Sequence, residues 1–272
     1  MDGDVTRETP FAEGRILLRR AGGVARIVFN APEKMNAMRL AMWEALAEIC
    51  DELATDPDLR VLVLEGAGDR AFVAGADISE FGETRSDATG AARYNAAVAR
   101  AERAVEVMPV PVLALIRGYC IGGGLGIAMR CDLRLAAADA RFAITPAKLG
   151  LGYGYEGVAS LLSRLGHART ADLLFTGRRL NAEEARAAGI ADFLYPVDQF
   201  EAECAAYIDR LAANAPLTIR AVKAALLELA RPEGARDPER VEALVRACFD
   251  SADYQEGQRA FAEKRKPRFE GR

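Results

Sequence analysis

Gly122-Gly123-Gly124-Leu125-Gly126 constrains this chain more than any other stretch, because it stands between a buried-strand pattern and a helix. The preceding run, Val110-Pro111-Val112-Leu113-Ala114-Leu115-Ile116, is apolar without alternation, as in a strand covered on both faces. Helical character follows over Ile127–Asp132, and Leu133–Ala137 reads as the next strand. Glycines at a helix start leave N–H donors bare, with no side chain to hold a ligand away. Free donors and the helix dipole attract negative charge. That suits a phosphate, or an oxygen that becomes an oxyanion during reaction. No Lys-Ser or Lys-Thr follows the glycines, as a G-x-x-x-x-G-K-[ST] loop requires. A dinucleotide fingerprint belongs in a first strand–helix unit, whereas this stretch lies mid-chain. A turn needed only for close helix–strand packing fits the same residues.

At 272 residues and 51% hydrophobic, the chain can bury a sizeable core, as one large domain or a domain with an appendage. A net charge of −4 gives no support to nucleic-acid binding. No apolar run approaches the roughly 20 residues that span a bilayer. Met1-Asp2-Gly3-Asp4-Val5 is acidic and lacks the apolar stretch of a signal peptide. Cys50, Cys120, Cys131, Cys204 and Cys248 are odd in number and form no C-x-x-C pair, which predicts reduced thiols and no zinc site. The expectation is a soluble, metal-free cytoplasmic protein. The single histidine, His167, sits in a predicted turn before a helix, and no G-x-S-x-G elbow supports a Ser–His or Cys–His nucleophile.

Short strands alternate with helices in the N-terminal half. Arg15–Arg20 and Val24–Phe29 are strand-like around a Gly22-Gly23 turn, Leu40–Leu53 has helical spacing, and Val61-Leu62-Val63-Leu64 is a buried strand. Ala88–Met108 predicts a long Ala-rich helix. This alternation argues for an α/β layer arrangement looser than a Rossmann array. Beyond about Val158, helices are predicted over Leu161–Leu165, Ala168–Phe175, Ala182–Ala188, Gln199–Ala213, Leu217–Leu229 and Val241–Ala252, interrupted by Phe193-Leu194-Tyr195-Pro196. Asn181 and Glu184 are placed to form a capping box. A second glycine-bearing segment, Gly66 to Ile78, follows the Val61 strand, and its small residues leave the Ala76 N–H uncovered.

Four segments in order resemble the enoyl-CoA hydratase/isomerase (crotonase) superfamily: Asn30-Ala31-Pro32-Glu33-Lys34-Met35-Asn36-Ala37, then Ala71-Phe72-Val73-Ala74-Gly75-Ala76-Asp77-Ile78, then Gly118-Tyr119-Cys120-Ile121-Gly122-Gly123-Gly124, and last Asp253–Gly257 with Phe261–Pro267. The likeness spans nearly the whole chain. It implies a ClpP-like spiral of ββα units over residues 1–200. Residues 201–272 would form a helical C-terminal region that packs homotrimers, often paired into hexamers. It further implies an acyl-CoA substrate, with coenzyme A as the thioester part of that substrate and no tightly bound cofactor. The N–H groups of Ala76 and Gly123 would form an oxyanion hole around the thioester carbonyl. Such fixed donors favour an enolate over the neutral thioester. By the same likeness Ala37, Ala74, Asp77 and Ile78 would frame the adenine and pantetheine, with Lys34 near a phosphate. Phe261 and Lys264 would close a CoA pocket, including that of a neighbouring subunit. A solvated basic tail is the other reading of this end.

Hydratases of this superfamily use two glutamates, and the matching positions here are Gly126 and Ala147. Neither side chain moves a proton, so ordinary hydration is not expected. The stretch Thr145–Tyr153 resembles methylmalonyl-CoA decarboxylase-like members, which place a tyrosine where Tyr153 stands. Loss of CO₂ from a malonyl-type thioester generates the enolate without a strong base. Tyr153 is the leading side-chain candidate, as proton donor or positioning hydroxyl, and Glu156 the second, as a base. A hydratase or isomerase using Glu156 or Glu80, and a non-catalytic acyl-CoA-binding subunit, are the competing expectations.

Overall fold

The computed structural model describes residues 7–80, 82 and 87–272; the Met1–Val5 stretch lies outside them. Strands β1 (Arg7–Phe11), β2 (Ile16–Ala21) and β3 (Val24–Phe29) form an antiparallel meander. Helix α1 (Leu40–Leu53) then leads to β4 (Val61–Gly66), which pairs parallel to β3. From here the chain repeats one turn. A strand joins the main sheet, a three-residue strand joins a second sheet, and helix closes the turn. The first turn is β4, β5 (Ala71–Val73) and α2 (Ala88–Glu106). The second is β6 (Val112–Ile116), β7 (Tyr119–Ile121) and α3 (Gly123–Arg130). The third is β8 (Leu133–Ala137), β9 (Arg141–Ala143), α4 (Pro146–Leu149) and α5 (Tyr155–Thr176). This is the spiral of ββα units that the family resemblance implies.

The chain continues through β10 (Leu180–Asn181), α6 (Ala182–Ala188) and β11 (Phe193–Tyr195). It ends in helices α7 (Phe200–Ala212), α8 (Pro216–Leu229), α9 (Pro238–Phe249) and α10 (Ala252–Ala262). The main sheet runs β1-β2-β3-β4-β6-β8-β11 and the smaller one β10-β9-β7-β5.

The unbroken apolar runs of β4 and β6 follow from coverage of both sheet faces. Leu62, Leu64, Val112, Ala114 and Ile116 enter the large core beneath α1 and α2. The alternate residues Val61, Val63, Leu113 and Leu115 meet Phe200, Cys204 and Ile208 of α7 on the other face. The predicted boundary at residue 201 falls inside α7. The capping box at α6 is present: Glu184 N–H donates to the Asn181 side chain at 2.9 Å, and Asn181 N–H donates to the Glu184 carboxylate at 2.8 Å. The two helices predicted around residue 166 are halves of α5, broken where Gly166 takes φ 74° and ψ 171°. His167 beside it is exposed.

One buried side chain holds the loops that approach the site. Asn36, fully buried with φ 56°, accepts from Ala31 N–H at 2.9 Å and donates to the carbonyls of Ala67 and Ala71 at 3.1 and 2.7 Å. Removing that amide strands a buried donor and two acceptors, and alanine is less at ease than asparagine in the left-handed region. Asn36→Ala should lower the unfolding free energy by about 3 kcal/mol in urea titration; a loss under about 1 kcal/mol would contradict this role.

Candidate active site

Residues 35–38 lie beside residues 74–77 in a short parallel ladder. Ala74 N–H donates to Met35 carbonyl at 3.0 Å, Met38 N–H to Gly75 carbonyl at 2.8 Å, and Asp77 N–H to Met38 carbonyl at 2.9 Å. The Ala74 and Asp77 donors face the 35–38 segment, and Met38 donates back to Gly75. The intervening Ala76 N–H faces away, and no hydrogen bond among the described residues uses it. Across from it, Gly122 takes φ 56° and ψ −120°, a conformation that a side chain strongly disfavours. A Cβ on Gly122 would stand 3.6 Å from the Gly75 Cα, so the two segments touch. Gly123 opens α3, and its N–H likewise has no acceptor among the described residues.

Both uncovered amides border one cavity of about 450 Å³. Trp43 and Tyr94 line its buried side; the Trp43 indole N–H donates to the Tyr94 hydroxyl at 2.8 Å. The Trp43 ring packs against Gly123 so closely that a Cβ there would meet Cζ2 at 2.9 Å. The ring therefore fixes the first turn of α3. Two donors borne by rigid, contacting backbone segments are suited to holding one oxygen whose negative charge grows.

Tyr153 lines the same cavity, half-buried against the core. Burial pushes its phenol well above the ordinary tyrosine range, and the Glu102 carboxylate pushes in the same direction against the pull of Arg130. The hydroxyl is thus a donor that stays protonated. Glu156 lines the rim, exposed, while its backbone carbonyl accepts from Arg130 at 3.4 Å. Glu102, from α2, is buried in the wall. Desolvation raises its pKa, opposed by the Arg130 guanidinium, whose Nε donates to it at 3.2 Å. Sequence reasoning missed Glu102; its only trace there is as one of two acids near the end of the Ala-rich α2.

The other predicted residues divide. Ala74 and Ile78 line the cavity. Asp77 does not. Its carboxylate accepts from the Ser79 hydroxyl and N–H at 2.6 and 3.1 Å, and the hydroxyl chiefly holds its pKa below the usual range, with Lys34 and Arg39 contributing. Lys34 is exposed and Ala37 half-buried on the adjoining loop, outside the cavity lining. Glu80 is tied to Arg39 Nε at 2.6 Å and to Leu40 N–H at 3.0 Å, and it too is absent from the lining. Phe261 and Lys264 are exposed, and Phe261 borders a separate apolar groove between α8, α9 and α10. Within one chain they are not brought to the cavity.

The sequence profile of the enoyl-CoA hydratase/isomerase family matches residues 19–272. The chain belongs to that family. Among curated relatives, methylmalonyl-CoA decarboxylase of Escherichia coli K12 is 32% identical, covering 91% of this chain and 95% of the relative. Crotonyl-CoA hydratase of Syntrophomonas wolfei is 33% identical over 93% of this chain and 97% of its own length. A crystal structure of an enoyl-CoA hydratase/carnithine racemase from Magnetospirillum magneticum superposes with a TM-score of 0.88 at 37% identity, covering 95% of this chain and 96% of the other. Members of the enoyl-CoA hydratase/isomerase family thus carry more than one named reaction on this fold, and the residues around the cavity must decide among them.

The phenol of Tyr153 has a thermodynamic signature. Its pKa is raised in the folded chain, so its contribution to stability is intact below pH about 10, the value for an ordinary tyrosine, and is lost as pH rises beyond it. In chemical denaturation between pH 8 and 11, wild type should lose stability more steeply than Tyr153→Phe, by up to one proton's slope of about 1.4 kcal/mol per pH unit. Parallel pH curves for the two proteins would show that the phenol is not desolvated.

Proposed function

We propose that this protein is an acyl-CoA enzyme that works through a thioester enolate, with the amides of Ala76 and Gly123 around the carbonyl oxygen. The supporting observation is that both N–H groups lack acceptors in the described chain and border one cavity. As charge moves onto the oxygen, these donors strengthen their hold, which lowers the barrier rather than merely tightening binding. Each is worth roughly 100- to 1000-fold in rate.

The reaction that best suits the remaining groups is decarboxylation of a malonyl-type thioester. Gly126 and Ala147 supply no acid–base pair at the two positions where hydratases carry theirs. Decarboxylation asks for less. The carbon–carbon bond to the carboxylate breaks, its electron pair becomes the enolate, and one proton then arrives at the α-carbon. Tyr153 supplies a substrate-positioning hydroxyl that stays protonated beside that chemistry. The likeness to a methylmalonyl-CoA decarboxylase supports this choice. Hydration or isomerisation with Glu156 as base is the second reading, favoured by the place of that carboxylate on the cavity rim.

Ala74 and Ile78 frame the pantetheine in this proposal, with Ala37 and Asp77 toward the adenine and Lys34 as a phosphate partner on the adjoining loop. Phe261 and Lys264 serve the pocket of a neighbouring copy in a homotrimer or hexamer. Exposed apolar side chains support such an assembly: Val222, Leu226 and Leu229 of α8 and Phe249 of α9.

A panel of malonyl-, methylmalonyl-, crotonyl- and 3-hydroxyacyl-CoA separates the readings. CO₂ release from the first pair is expected, and brisk hydration of crotonyl-CoA without it would favour the Glu156 mechanism. Tyr153→Phe should lower turnover about 100-fold while CoA binding persists; unchanged turnover eliminates the tyrosine. Leu226→Glu should convert a trimer or hexamer into monomers by light scattering, and a wild-type monomer would rule out the proposed assembly.

A further inference from the structure

The wall of the cavity contains a carboxyl group packed against a helix position that has no side chain. At Gly126 in α3, a Cβ would lie 2.5 Å from Glu102 Oε1 and 3.6 Å from Glu102 Cδ, and no other atom comes within 4 Å. The missing side chain at position 126 is therefore what makes room for the carboxyl group of Glu102. Glu102 Oε2 accepts from Arg130 Nε, while Oε1 has no hydrogen-bond partner among the described residues. Glu102 lines the cavity, and a carboxyl oxygen there without a protein partner is chemically available. We propose that Glu102 is the proton-transferring acid of this site, delivering the proton to the α-carbon of the enolate; this rests on the acyl-CoA reading above.

The step balances simply. After CO₂ leaves, the enolate electron pair takes the proton of the Glu102 carboxyl group and the saturated thioester forms. Glu102 is left as a carboxylate and regains its proton from water. The charged groups around it fit this cycle. Arg130 from α3 stabilises the carboxylate, whereas burial, Glu106 from α2 and Glu156 from α5 favour the neutral acid. Glu106 is itself bridged to Arg130 at 3.1 Å and to Arg103 at 3.2 Å, and Tyr153 faces the cavity as a neutral phenol. Glu102 is thereby kept close to the point at which it can both give and recover a proton.

The reverse of the protonation step gives a test that does not depend on decarboxylation: exchange of the α-protons of propionyl-CoA in D₂O, followed by mass spectrometry. Wild type should exchange them, with a rate that rises with pH through a midpoint above the ordinary carboxylate value of about 4.5, because the carboxylate is the form that removes the proton. Glu102→Gln should exchange about 100-fold more slowly and lose that pH limb. The double variant E102A/G126E, which restores a carboxyl group from the facing helix, should recover at least tenfold over E102A. Glu102→Gln exchanging within twofold of wild type, or a folded double variant with no recovery, overturns the proposal. Wild type that exchanges α-protons but releases no CO₂ from malonyl-CoA refutes the decarboxylase reading and leaves Glu102 standing. Wild type that decarboxylates while Glu102→Gln exchanges normally refutes Glu102 alone.

Discussion

The site depends on a backbone ladder of three hydrogen bonds between residues 35–38 and 74–77. Hydrogen bonding along one edge of residues 74–77 consumes the N–H groups of Ala74 and Asp77 and so turns the Ala76 N–H outward. The same segment touches the turn at Gly122, where the backbone conformation excludes a side chain. Two turns of the spiral distant in sequence are thus brought into contact through their main chains. Preorganised donors of this kind need no reorganisation when charge develops, which gives them their catalytic worth. Asn36 and Trp43 secure the arrangement from two sides, one by hydrogen bonds to the loop carbonyls and one by packing on Gly123.

Much of this was legible in the residues. The glycines at 122–126 mark a helix opening, although α3 begins at Gly123 instead of Ile127, because glycine lowers helix propensity without forbidding the first turn. Strands β4 and β6 announce themselves by unbroken apolar runs, and Asn181 with Glu184 forms the cap their spacing demands. The second sheet was not legible. Strands β5, β7 and β9 have three residues each, too few for any alternation to be read, and they exist because neighbouring turns stack them. Glu102 was equally hidden. Its importance lies in facing a position with no side chain on a different helix, and one-dimensional spacing carries no record of that contact.

Arg130 sets the electrostatics of the inner wall. Lying in the last turn of the helix whose first turn faces the cavity, it engages Glu102, Glu106 and the Glu156 carbonyl at once. A cation at a helix C-terminal end complements the dipole of that helix. Here it also lets two neighbouring acids remain buried or half-buried beside the cavity. With Tyr153 neutral and Glu102 drawn toward its neutral form, the wall offers little repulsion to an incoming anion.

The far end of α3 is moored as well. Asp132, just beyond it, accepts from Val112 N–H at 2.8 Å and from the buried Lys223 of α8 at 2.5 Å. A strand of the main sheet and a C-terminal helix therefore grip the same carboxylate. The two-turn rod that carries the glycine amides at one tip is thus anchored at the other by both a strand and a C-terminal helix.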